Sequence, residues 1–156
     1  MPSFYRLIWL MPAAFALHIV EEYGGGFPGW VTHVVGGAMS APMFLVNNAF
    51  FMAVLLALTA WSGIARTTTA NAVLIAWASA NLFWDFLFHV GTVPLFDRYS
   101  PGLVTATLLY FPISVAVSWA AVAQHALSPR AFQASSAVGF VLMGFVIWAG
   151  LYHFAV

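Results

Sequence analysis

Apolar residues form five long stretches in this sequence, separated by short segments rich in Gly, Ser, Pro and charged residues. The stretches cover approximately residues 4–22, 43–62, 71–91, 102–123 and 134–155. Each is close to the ~20 residues that a helix needs to cross a bilayer. Segments of about ten residues with alternating polarity, which a membrane β-barrel requires, do not appear. The pattern predicts an all-α integral membrane bundle of about five transmembrane helices, with residues 1–156 forming a single domain.

Turn-forming residues mark the connections between these stretches. Ser100 and Pro101 precede the fourth one, so we expect Ser100 to be the N-cap and Pro101 to lie in the first helical turn. The first loop, residues 23–42, is the longest and is still apolar. We expect this loop to lie in the membrane interface or to re-enter the bilayer.

The composition agrees with a protein surrounded by membrane lipid. Charged residues make up 5% of the chain and hydrophobic residues 63%, whereas about a quarter of the residues in soluble domains are charged. The net charge is zero and no basic run occurs, which argues against a nucleic-acid partner. Cysteine is absent, so thiolate metal sites and cysteine nucleophiles are excluded.

The arginines predict how the chain is oriented. Arg6, Arg66 and Arg130 fall on one side of a five-helix bundle, and Arg98 falls on the other. The positive-inside rule then places the N-terminus in the cytoplasm and the C-terminus outside. We expect this membrane to be a bacterial inner membrane.

Polar groups collect towards the outer surface in this arrangement. All four carboxylates and four of the five histidines fall there, with His125 as the exception. The group comprises Glu21, Glu22, Asp85, Asp97, His18, His33, His89 and His153. We expect His33 and His153 to be interfacial side chains and Asp97 to lie in a loop, so the candidate site consists of His18, Glu21, Glu22, Asp85 and His89.

Helical spacing brings several of these groups together in two sets. His18 is three residues before Glu21 and four before Glu22, and Asp85 is four residues before His89, so each set shares a helix face. Histidine and carboxylate side chains on facing helices hold metals in helical bundles, and they suit zinc, iron or manganese. The spacing therefore predicts that His18, Glu21, Glu22 and His89 bind metal, with Asp85 as a further ligand or the partner of one. Solvated carboxylates and a structural Asp85–His89 pair are the alternatives.

Asp85 is the most demanding of these residues energetically, because Phe86, Leu87 and Phe88 follow it. A carboxylate at the centre of a membrane helix costs ~2.5–3.5 kcal/mol on insertion scales. Its expected position near a helix C-terminus adds an unfavourable helix dipole. A metal ion, Arg98, protonation or a histidine partner must therefore compensate.

Two short motifs resemble those of the HXXEE-domain family of membrane proteins. Residues 18–22 read HIVEE, residues 99–102 read YSPG, and His89 is the natural candidate for a further histidine of the family pattern. The resemblance implies a site that also includes Tyr99 and Gly102. The family has no assigned reaction, so the resemblance supports a site without naming its chemistry.

These observations favour a membrane-embedded metal-dependent enzyme that acts on a lipid-like or other hydrophobic small molecule. Zinc would activate water for hydrolysis, and iron would support oxidation; the ligand set leaves both open. We expect Glu21, Asp85 and Tyr99 to be catalytic, with Tyr99 donating a proton or a hydrogen bond.

Three other functions remain open. A carboxylic acid in an apolar pocket can protonate a substrate, so a metal-free acid/base isomerase is one alternative. A haem- or pigment-binding accessory subunit with histidine ligands is another, and a transporter is a third. Ala76 and Ala80 form a small-residue pair that packs another helix, either within the chain or from a partner in an oligomer or larger membrane complex.

Overall fold

The structure, a computed structural model, describes residues 2–149. These residues form six helices and contain no strand. The helices are α1 (Phe4–Gly24), α2 (Phe27–Trp30), α3 (Ala41–Ala65), α4 (Thr68–Phe96), α5 (Leu103–Ala123) and α6 (Pro129–Ile147). All except the short α2 are long and apolar enough to cross a bilayer. The prediction of an all-α membrane protein with five spans is therefore confirmed. His153 and the C-terminus lie outside the described residues.

Two helices extend beyond the apolar stretches that predict them. Helix α6 begins at Pro129 rather than near residue 134, and α4 continues to Phe96 rather than ending near residue 91. Hydropathy marks where a helix enters lipid, whereas capping residues mark where the helix itself begins and ends. Arg130 and Gln133 are polar and are already helical.

Hydroxyl side chains cap the N-termini of three spanning helices. Ser40, Thr67 and Ser128 each accept a hydrogen bond from the backbone N–H three residues later. Such caps satisfy one of the free N–H groups of the first turn. The expectation that Ser100 caps α5 is wrong: Gly102 is the N-cap residue, and the Ser100 hydroxyl instead contacts His89.

Helix α4 lies at the centre of the bundle and packs against α1, α3, α5 and α6. Its contact with α6 is close because Gly139 has no side chain. A Cβ on Gly139 would meet the Ser79 hydroxyl and would lie 2.7 Å from the Ala76 carbonyl oxygen. It would also lie 3.0 Å from the Ala80 nitrogen, so the Ala76/Ala80 pair packs a helix of the same chain.

The first loop forms an apolar cover over the end of the bundle at which the candidate residues lie. Phe27, Trp30 and Val31 are buried and pack with Phe44 of α3. The Phe27 ring centroid also lies 5.9 Å from that of His89 on α4. The loop therefore closes one side of the region in which the candidate residues meet.

Helices α4 and α5 each contain a π-helical turn, at Ser79–Trp84 and at Ala106–Tyr110. A π-helical turn holds an extra residue and often occurs at functional sites. The first turn ends immediately before Asp85, and the second begins immediately after Thr105. Both irregularities therefore lie beside the candidate site.

Candidate metal centre

Four side chains from two helices converge within the bundle. Helix α1 contributes His18 and Glu22, and α4 contributes Asp85 and His89. His18 Nε2 lies 3.6 Å from Glu22 Oε1 and 3.3 Å from Asp85 Oδ2. His89 Nε2 lies 3.5 Å from Glu22 Oε1 and 3.8 Å from Asp85 Oδ1. The i,i+4 spacing on each helix thus places one imidazole and one carboxylate on each facing surface.

These distances fit the edges of a small coordination polyhedron. A tetrahedral ion with bonds of about 2.0–2.1 Å separates its ligand atoms by about 3.3–3.4 Å. Of the four nitrogen–oxygen distances, one, 3.3 Å, falls within that range and the other three, 3.5–3.8 Å, are slightly longer. His18, Asp85 and His89 each offer one ligand atom, and these three atoms lie within 4.8 Å of one another. Glu22 stands beside them as a fourth group.

Both imidazoles leave a ring nitrogen without a hydrogen-bond partner. His18 and His89 are 1% and 0% exposed, and neither Nε2 atom has a partner among the described residues. Buried polar atoms are almost always paired, and an exception calls for an explanation. The two Nε2 atoms face the same carboxylates, so a cation between these groups would satisfy both.

The opposite nitrogen of each ring is held by a hydroxyl group. His18 Nδ1 lies 2.8 Å from the Thr105 hydroxyl, and His89 Nδ1 lies 2.8 Å from the Ser100 hydroxyl. The Thr105 hydroxyl donates to Glu21 Oε2 at 2.5 Å, so it accepts from the Nδ1–H of His18. This arrangement leaves the Nε2 of a neutral His18 as an acceptor, which is the form that binds a metal.

Glu21 points away from these four groups and caps α5. Its carboxylate accepts hydrogen bonds from the backbone N–H groups of Val104 and Thr105 at 3.1 and 2.6 Å. These N–H groups belong to the first turn of α5, whose N-cap residue Gly102 has no side chain to offer. A carboxylate at this position also interacts favourably with the helix dipole. Glu21, predicted from spacing as a ligand, thus reaches His18 only through the Thr105 hydroxyl.

The 99–102 segment contacts candidate residues on both helices, Glu21 on α1 and His89 on α4. Tyr99 donates its hydroxyl hydrogen to Glu21 Oε1 at 2.7 Å. Partial burial and this bond to the Glu21 carboxylate raise the pKa of Tyr99 to about 12. The Tyr99 ring is 53% exposed, so this tyrosine lies outside the group of four. Its expected role as a proton donor in the site therefore finds no support in its position.

Gly102 fills a space that admits no side chain. Its φ angle is +103°, and a Cβ there would lie 2.7 Å from Cε1 of both His18 and His89. Pro101 packs against the C-terminal end of α1, since a Cβ on the C-cap residue Gly25 would lie 2.9 Å from the Pro101 Cβ. The two motifs of the chain are therefore parts of one structure, in which the second motif positions the first.

Asp85 is compensated by histidine rather than by arginine. Within residues 2–149, the basic nitrogens that lie within 4.0 Å of a carboxylate oxygen belong to His18 and His89, and none belongs to Arg98. Helix α4 also continues for eleven residues beyond Asp85 to Phe96. The expectation that Asp85 lies near a helix C-terminus is wrong, so the helix dipole contributes little to its energy.

A cavity of about 440 Å³ adjoins the four groups. His18, Glu22 and Asp85 form part of its wall, and most of the remaining wall is aromatic and aliphatic. Phe50 of α3 and Phe145 of α6 also line it and are 59% and 56% exposed. Both residues belong to helices that are long and apolar enough to cross a bilayer.

The structure places two other histidines away from the site and reveals further residues that contact the imidazoles. His33 is exposed in the first loop, and His125 is exposed in the connection between α5 and α6. Ser100, Thr105 and Tyr110 contact the imidazoles, and our sequence reasoning predicted none of these contacts. Ser100 lies inside the YSPG motif, so that motif could have identified it as a site residue. No motif or spacing in the sequence marks Thr105 or Tyr110 as site residues.

The fold and this cluster define a polytopic membrane protein with a buried histidine–carboxylate site. A comparison with known families matches residues 9–117, well over half of the 156 residues, to "Protein of unknown function with HXXEE motif". The chain belongs to this HXXEE family, as its motifs predict. Searches of curated proteins and of solved structures each find no match.

Proposed function

We propose that this protein is a membrane-embedded metal-dependent enzyme that acts on a hydrophobic, lipid-like substrate. One observation carries the proposal: two buried imidazole Nε2 atoms have no hydrogen-bond partner among the described residues and face two carboxylates across 3.3–3.8 Å, beside an apolar cavity. His18, His89 and Asp85 are the proposed ligands. Glu22, which is close to both imidazoles, is a fourth ligand or a base.

The donor set suits zinc or iron. Two histidines and one carboxylate with an open position occur in zinc hydrolases and in non-haem iron oxygenases. A bound metal would activate water for hydrolysis or oxygen for oxidation, and the identity of the metal chooses between the two reactions. The remaining residues keep the ligands in place: Thr105 and Ser100 orient the imidazoles, and Phe27 covers the outer side.

The cavity supports a substrate that arrives from the bilayer. A volume of about 440 Å³ is within the range of small-molecule sites. Exposed Phe50 and Phe145 at its edge suit an apolar molecule that enters sideways between α3 and α6. Asn81 also lines the cavity and provides a polar group for the head of such a molecule. We further propose a bacterial inner-membrane location with the N-terminus in the cytoplasm.

The geometry of the imidazoles favours an ion over haem. The ring centroids of His18 and His89 are 4.9 Å apart with planes at 74°. Both Nε2 atoms point to the same small space, so the two rings cannot lie on opposite faces of one macrocycle. This argues against a bis-histidine haem or pigment site.

Elemental analysis of protein purified without chelator tests the proposal. We expect about one zinc or iron per chain in the wild type, and its loss in His18→Ala and His89→Ala. His33→Ala is the matched control, because His33 is an exposed histidine of the same outer region, and this variant should keep its metal. Wild-type protein that remains metal-free after dialysis against Zn²⁺ and Fe²⁺ would refute the proposal. Full metal content in both site variants would refute it as well.

The metal-free acid/base isomerase is the second candidate. It is favoured by the Glu22 and Asp85 carboxylates in the wall of an apolar cavity. The same analysis distinguishes the two functions, because an isomerase of this kind is active with no metal bound. Glu22→Gln, which preserves shape but removes the acid, should abolish its turnover.

A further inference from the structure

Tyr110 is a second tyrosine near the site, and its role is different from that of Tyr99. It ends the π-helical turn of α5 and is 0% exposed. Its ring packs on the His18 ring, with centroids 4.3 Å apart and planes 33° apart. The ring contact alone would be made equally well by phenylalanine, so it does not explain the hydroxyl group.

The Tyr110 hydroxyl is buried and has no hydrogen-bond partner among residues 2–149. Buried tyrosine hydroxyls usually have one, because an unpaired polar group in an apolar interior is unfavourable. The Tyr110 ring packs on His18, whose Nε2 lies 3.6 Å from Glu22 Oε1 and 3.3 Å from Asp85 Oδ2. The hydroxyl is therefore an unpaired donor on a ring that is in direct contact with the proposed site.

We infer that the Tyr110 hydroxyl donates a hydrogen bond to an oxygen atom bound in the site, from water, a small oxyanion or the substrate. This inference rests on the proposed metal-dependent function. A bound oxygen beside Asp85 and Glu22 would provide the acceptor that the hydroxyl lacks. Tyr110 acts as a donor and not as a metal ligand, since a phenolate would add a third negative charge to two carboxylates in apolar surroundings.

Formate binding to the Co²⁺-loaded protein tests this role, because formate is small and its binding changes the visible spectrum of cobalt. A hydrogen bond to a charged acceptor corresponds to roughly a tenfold to hundredfold change in affinity. We expect Tyr110→Phe to weaken formate binding at least tenfold and to change Co²⁺ affinity less than about threefold. Tyr23→Phe is the control, since Tyr23 is next to Glu22 in sequence but half-exposed and stacked on Phe44.

A second measurement separates this role from a structural one. Removing an unpaired hydroxyl leaves packing unchanged, so metal-free Tyr110→Phe should unfold at the same temperature as the wild type or higher. A clear drop in that temperature would mean that the hydroxyl has a structural partner, and it would overturn the inference.

The remaining outcomes are also decisive. Unchanged formate affinity in Tyr110→Phe, with normal cobalt uptake, refutes the role of Tyr110 alone. A phenolate-to-iron charge-transfer band in the Fe³⁺-loaded wild type that disappears in Tyr110→Phe would make Tyr110 a ligand and overturn its role as donor. A wild type that takes up no cobalt refutes the proposed function and, with it, this inference.

Discussion

Replacement of Gly102 by alanine is the sharpest test of how the two motifs fit together. The new Cβ would lie 2.7 Å from Cε1 of His18 and of His89, and 3.0 Å from Cγ of Glu22. Ordinary contacts of this kind begin at 3.4 Å. Each imidazole would therefore have to move by about 0.7 Å, the difference between 3.4 Å and 2.7 Å. A shift of that size would disturb the short distances between the proposed metal ligands.

Two costs add at this position. The φ angle of +103° is strained for alanine, at about 1–3 kcal/mol. Overpacking against two buried rings costs about 1–3 kcal/mol more. The sum is about 2–6 kcal/mol, which corresponds to a fall of at least about 4 °C in the unfolding temperature of a chain of this size.

The assay is thermal unfolding in detergent, together with metal content. Gly102→Ala should lower the unfolding temperature by at least that amount and should lose bound metal. Gly91→Ala is the matched control, because Gly91 is two residues from His89 and a Cβ there meets nothing within 4 Å. A Gly102→Ala protein with wild-type stability and wild-type metal content would contradict the described packing of Gly102 between the imidazoles.

Four further predictions test other contacts. Thr105→Val should weaken metal binding about 10–100-fold, because His18 Nδ1 loses its hydrogen-bond partner, whereas Thr105→Ser should bind metal like the wild type. Metal titration measures the affinities, and equal affinity in the wild type and both variants would exclude a role of the Thr105 hydroxyl in orienting His18. Glu21→Gln should retain its metal and lose about 1 kcal/mol of stability at the N-terminus of α5, whereas loss of metal would return Glu21 to the ligands. Asn71→Ala removes three hydrogen bonds near the start of α4, which at about 0.6 kcal/mol each come to about 2 kcal/mol; an unchanged unfolding temperature would contradict this. Gly139→Leu should separate α4 from α6 and destabilise the protein by at least about 1–3 kcal/mol, and a folded, equally stable variant would refute the close packing.

The amino-acid sequence was sufficient to predict that this protein lies in a membrane and that its fold is all-α. Five stretches of bilayer length and a chain with 5% charged residues have one physical solution in lipid, since helices satisfy their own backbone hydrogen bonds. Spacing also identified the two pairs His18/Glu22 and Asp85/His89, because groups four residues apart share a helix face whatever the tertiary fold.

Which of these groups come into contact depends on how the helices pack in three dimensions. Glu21 and Glu22 have the same chemistry and adjacent positions, yet Glu22 lies beside the imidazoles and Glu21 caps α5, because neighbouring residues on a helix point about 100° apart. Thr105 and Tyr110 are five residues apart, which on a regular α-helix separates them by about 140°. The π-helical turn between them, with its wider i→i+5 repeat, allows both to contact His18. Such a local change in helical repeat depends on packing between helices, and no periodic pattern in the sequence marks it.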